Sequence, residues 1–123
     1  MRLTSRLLVF FWILGFIAAF TIQSLFQHWF AEVTLWGSAP GWQTEIAIWN
    51  LGVICVLVPL VRVEDLSKKA IPGLIVLSLL FGVNHLYAAV QSSQFFLGNW
   101  LGALSNFGAA GLGLGSVLFR NPR

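Results

Sequence analysis

Charge is what this chain has least of. Only 9% of its 123 residues are Asp, Glu, Lys or Arg, where a soluble domain carries about 25%. With 58% hydrophobic residues and a mean hydropathy of +0.84, that scarcity excludes an ordinary water-soluble fold. Cysteine occurs once, so no internal disulfide is available, and the mid-run position of Cys55 predicts a small core residue. Serine-hydrolase, P-loop and dinucleotide motifs are missing. So are H-x-x-H and H-x-x-x-H spacings and any Cys pair that would mark a metal site. The chain therefore reads as non-catalytic more readily than as an enzyme. Its net charge of +3 and pI near 9.8 do not suggest nucleic acid, because the basic residues stand in ones and twos at the ends of apolar runs.

Those runs are what is present. Four stretches approach the ~20 apolar residues needed to cross ~30 Å of hydrocarbon: Leu7 to Phe26, Thr44 to Val61, Ile71 to Val90 and Phe96 to Phe119. The pattern predicts an all-α polytopic membrane protein, a single domain over 1–123 of four transmembrane helices in an antiparallel bundle. The first run follows Arg2 and Arg6 as a signal peptide would. Its length and the lack of a small-x-small site after Ala18 and Ala19 predict an uncleaved helix.

Every Lys and Arg lies on one side of such a four-span chain. Arg2 and Arg6 precede the first span, Arg62, Lys68 and Lys69 separate the second from the third, and Arg120 and Arg123 follow the fourth. The positive-inside rule makes that side cytoplasmic, with both termini inside. The connection RVEDLSKK reads as a plain hairpin turn, Pro72 as a helix start and Pro59 as a helix distortion or end. The external connection, Gln27 to Gln43, holds His28, Trp29, Phe30, Trp36 and Trp42. It is expected to lie at the outer surface with room for a short interfacial helix, as an aromatic belt, a lid over the bundle mouth or a docking surface.

Polar groups gather at one depth. Thr21, Gln23, Glu45, Asn50, Asn84, His85, Asn99 and Asn106 all fall in the outer third of the predicted spans. Asn50 and His85 both come within roughly 10 Å of the outer boundary at 1.5 Å of rise per residue. A polar side chain in hydrocarbon tends to face a partner, a cavity or a ligand. The candidate ligand-binding residues are therefore Gln23, Glu45, Asn50, His85, Asn99 and Asn106. On the second span Glu45, Trp49 and Gly52 share a face, with Asn50 beside it. On the third, Ser78, Gly82, His85 and Ala89 form one stripe. His85 is open to three readings: a structural residue bonded to Glu45 or an asparagine, a contact for a polar ligand, or a metal or haem ligand. With Glu45 it is the one plausible metal pair, with His28 a third candidate if its loop folds inward. Glu45 can equally be an exposed acid at a helix start.

The fourth span carries a small-residue face. Gly98 to Gly102 and Gly111 to Gly115 are GxxxG matches, and Gly113 lies on the same helix. Such glycines let helices approach closely, within the bundle or against a partner.

Three segments, GWQTEIAIWNLGV (Gly41 to Val53), FGVNHLYAA (Phe81 to Ala89) and GNWLGALSNFGAAGLGLG (Gly98 to Gly115), together resemble a family of small bacterial four-helix integral membrane proteins. The resemblance implies a fold and a polar layer and carries no activity. Small multidrug transporters are also four-span proteins of this length, but they rely on a glutamate in the first span, and Leu7 to Phe26 has no acid. Two functions follow as expectations. One is an accessory or structural subunit packing with another membrane protein or with a second copy of itself. The other is a small binding protein or carrier whose outer-third pocket takes a quinone, lipid headgroup, ion or haem. No cofactor is required by the sequence, membrane lipid is an expected partner, and a redox enzyme at that pocket is the weakest option.

Overall fold

The computed structural model describes residues 4–119, and the regular structure there is helical. Five helices follow one another: α1 (Ser5–Leu25), α2 (Gln27–Val33), α3 (Pro40–Leu60), α4 (Glu64–Gln91) and α5 (Leu97–Leu118). α1, α3, α4 and α5 are long and apolar enough to cross a membrane. The shortest have 21 residues, or about 30 Å of rise. Arg2, Arg120 and Arg123 lie outside the described residues. Large apolar side chains cover the outward faces, among them Phe10, Leu14, Ile48, Val56, Leu80, Val83, Leu104 and Leu118. A surface of that extent is stable against lipid, not water.

The start of α1 is tied to the turn between α3 and α4. Thr4 Oγ1 accepts from the Leu7 N–H at 3.3 Å. The Glu64 carboxylate accepts from the N–H groups of Ser5 and Arg6 at 3.2 and 3.3 Å. These are first-turn donors that the helix itself cannot satisfy, and a negative group suits the dipole there. Arg6 Nε donates to the Val61 carbonyl at 2.9 Å. One end of the molecule thus gathers Arg6, Arg62, Lys68 and Lys69 and is called the basic end below.

Several local expectations are corrected. RVEDLSKK is not a plain turn: α4 begins at Glu64, so most of that segment is helix. Glu64 and Asp65 in its first turn favour this through the dipole, and Asp65 accepts from Lys68 at 3.2 Å. Pro72 consequently sits about two turns inside α4 instead of at its start, where its missing N–H leaves unbonded the carbonyl four residues back. Pro59 stands inside the last turn of α3, which ends at Leu60. Cys55 is exposed on α3 instead of buried in the core. The aromatic connection Gln27 to Gln43 is partly regular: α2 occupies Gln27–Val33, Gly37 turns the chain at φ 64°, and Pro40 opens α3. Proline suits that first helical position because its absent N–H would have been unpaired anyway.

α4 packs most extensively on α5, α1 on α3, and α1 on α4, whereas α1 and α5 touch only lightly. The apolar core lies toward the basic end, where Leu8, Val9, Trp12, Ile13 and Phe16 of α1 meet Leu57, Ile71, Leu74, Ile75 and Ala110. Gly113 permits this closeness: a Cβ there would stand 2.6 Å from Ile75 and 2.8 Å from Trp12. Beside this core, and extending toward the other end, lies a cavity.

Candidate functional site

The cavity measures about 680 Å³, within the range of small-molecule sites. α1 supplies one wall through Phe11, Gly15, Ala18, Ile22 and Gln23, and α5 the opposite wall through Leu101, Gly102, Ser105, Asn106 and Leu112. Between them lie Ser78, Phe81, Asn84 and His85 of α4 and Gln43, Ile46 and Asn50 of α3. Trp12 closes the floor, its indole N–H donating to Ser78 Oγ at 2.8 Å in a buried hydrogen bond. Trp29, Phe30, Trp36 and Trp42 form an aromatic roof. Phe11, Gly15, Ala18, Leu101 and Leu112 line the cavity and are also exposed, so it opens sideways between α1 and α5. Among the described residues no Asp, Glu, Lys or Arg lines it.

The roof is held from below. Asn99 is fully buried, and its Oδ1 accepts from the Leu35 N–H at 2.8 Å. Gly98 brings α5 against the end of α2, since a Cβ there would be 2.8 Å from the Val33 carbonyl oxygen. Trp36 then packs edge-on against His85, ring centroids 4.8 Å apart at 61°, a favoured aromatic geometry. His85 itself lies over Gly102, where any Cβ would collide with the imidazole.

Four buried side-chain atoms find no hydrogen-bond partner among the described residues: Gln23 Oε1, Gln43 Oε1, His85 Nδ1 and Asn99 Nδ2. The first three belong to residues that line the cavity. Leaving a buried polar atom unbonded costs about 1–3 kcal/mol, so three on residues that line one cavity mark a place for a polar group. Two of the surrounding amides are otherwise employed. Asn50 and Asn106 turn their Nδ2 onto the carbonyls of Ile46 and Gly102, at 3.0 and 2.8 Å.

Of the residues singled out from the sequence, Gln23, Asn50, His85 and Asn106 are brought to this cavity, together with Asn84. Asn99 supports its roof instead of lining it. Thr21 bonds back to the Ile17 carbonyl at 2.8 Å. Glu45 is exposed, on the face of α3 that also exposes Trp49 and Gly52, and is not brought together with His85. His28 is exposed as well. No group of three or more His, Cys, Asp or Glu able to hold a metal occurs among the described residues. The glycines divide: Gly98, Gly102 and Gly113 face neighbours inside the fold, while a Cβ on Gly108, Gly111 or Gly115 would meet nothing within 4 Å.

Sequence reasoning missed Gln43, assigned to the external loop. Its signal was available. Pro40 marks the start of α3, and Gln43, Ala47 and Asn50 then recur at helical spacing as the buried stripe. Comparison of the chain with models of protein families, with curated proteins and with solved structures finds no match.

Proposed function

We propose that this chain is a small integral membrane binding protein that holds a lipid-like or quinone-like amphiphile in the cavity between α1 and α5. The carrying observation is that three residues with an unpartnered buried polar atom, Gln23, Gln43 and His85, line one cavity whose walls are mostly apolar. An amphiphile matches that division, with its head among the polar atoms and its tail against Leu8, Phe11, Leu77 and Leu112. The setting is a bilayer crossed by four antiparallel helices. Arg6, Arg62, Lys68 and Lys69 at one end support a cytoplasmic placement of that end and of both termini. The sequence resemblance suggests a bacterial inner membrane.

The test is thermal. Protein stripped of lipid by extended detergent washing is mixed with a lipid extract of its own membrane. A ligand that binds the folded state raises the midpoint by mass action. The rise is expected for wild type and not for His85→Ala in a preparation of equal helicity. A wild-type midpoint indifferent to the extract overturns the proposal.

A second reading rests on a separate observation, the open Gly108, Gly111 and Gly115 on α5. Small residues at spacings of three and four, with open space before them, suit close approach of another membrane helix. On this reading the protein is an accessory subunit, and the open stripe is where its partner or a second copy packs.

A further inference from the structure

We propose that the ligand is uncharged and that its head carries a hydroxyl donating a hydrogen bond to Gln43 Oε1; a long-chain alcohol or a quinol meets this requirement and an oxidised quinone does not. This rests on the binding-protein reading above and narrows its ligand.

Gln43 is 3% exposed, and its orientation is determined by its neighbour. Its Nε2 donates to the Gln27 carbonyl at 3.4 Å. Turning the amide over would set two acceptor oxygens against each other, so Oε1 is the atom without a partner. An amide oxygen only accepts. Gln23, 8% exposed, lines the same cavity, and its backbone carbonyl accepts from Gln27 Nε2 at 2.8 Å. Gln43 thus brings one oriented, unpartnered acceptor to the cavity lining, and a ligand that only accepts hydrogen bonds leaves it unsatisfied.

Charge is excluded by the walls. Among the described residues no Asp, Glu, Lys or Arg lines the cavity, so an anionic head finds no Lys or Arg there and a cationic head no carboxylate, and an unpaired buried charge is costly. The aromatic roof could attract a quaternary ammonium through its ring faces. Such a group has no N–H or O–H to give and fails at Gln43. A neutral hydroxyl is the common solution. The tail reaches the cavity from lipid, through the side where Gly15, Ala18 and Leu112 are exposed.

The experiment compares two probes that differ in one hydrogen-bond donor. A brominated long-chain alcohol and its methyl ether are titrated into the full chain in an amine-oxide detergent, which itself has no hydroxyl. Bromine quenching of the tryptophans that line the cavity reports binding. The alcohol is expected to bind about tenfold more tightly than the ether, the effect of one unsatisfied buried acceptor. In Gln43→Met the two should bind alike, and retained ether binding in that variant shows that it is folded. Equal binding of alcohol and ether to the wild type overturns the hydroxyl inference and leaves the binding-protein reading intact. Failure of both probes to saturate the wild type overturns both.

Discussion

The imidazole of His85 occupies the space that a side chain at Gly102 would need, so the two residues lock α4 to α5 beside the cavity. This makes the effect of one substitution depend on the other residue. In wild type, Gly102→Ala should lower stability by about 1–3 kcal/mol through overpacking. In a His85→Ala background the same change should stabilise by about 0.5–1 kcal/mol, the helix preference of alanine over glycine. Thermal midpoints of the four variants in one detergent measure the coupling. Equal effects in both backgrounds would show that the two residues are not in contact.

Asn99 should behave as a latch for the roof. Asn99→Ala removes the acceptor that holds the Leu35 N–H and should cost about 1–3 kcal/mol. Hydrogen exchange of the 30–37 segment should accelerate while the α1 core around Val9 and Ile13 stays protected. Unchanged exchange across that segment would mean that the roof is held by other contacts.

The glycines of α5 predict two different phenotypes. Gly113→Leu should prevent folding, because Ile75 and Trp12 already fill the space above it. Gly111→Leu and Gly115→Leu should leave the isolated protein folded, since nothing stands within 4 Å of either. If the open stripe is an interface, the latter two variants lose association with a partner or a second copy in size-exclusion chromatography. Unaltered association in both would sink the accessory-subunit reading.

The contact between Glu64 and the start of α1 should be modest and sensitive to salt. Glu64→Gln keeps the hydrogen-bond geometry and removes the charge at the helix N-terminus. It is expected to cost about 0.3–1 kcal/mol at low ionic strength. The loss should shrink toward zero in high salt through screening. A salt-independent loss would assign the contact to packing.

Orientation is open to a labelling test that uses the native cysteine as its internal control. Cys55 is exposed in the middle of α3, so in an intact bilayer a membrane-impermeant maleimide should not reach it. On a Cys55→Ser background, Gln94→Cys should label in intact cells and Lys69→Cys only after permeabilisation. The reverse pattern would invert the topology.

The sequence disclosed the four long helices because apolar run length is a strong signal and the bilayer sets the length required. Counting rise sets Gln23, Asn50, His85 and Asn106 at similar depth, and these four do line one cavity. The sequence did not disclose which face of α3 turns inward. In a soluble helix the apolar stripe answers that, but a membrane helix is apolar on both sides and hydropathy loses its direction. Glu45 with Trp49 and Gln43 with Asn50 were then equally eligible, and the exposure of Trp49 shows which stripe lost. The roof was illegible for another reason. Trp36 meets His85 through a turn at Gly37 and a side-chain bond from Asn99, long-range contacts that periodicity does not encode.

A bound amphiphile is read directly by native mass spectrometry of the untagged chain, taken from its own membranes into a mild detergent. The expected species is a chain, single or in a homo-oligomer, that carries a reproducible small added mass, diminished in Gln43→Met and His85→Ala. A wild-type chain that flies bare, or with added polypeptides alone, would contradict the binding-protein reading.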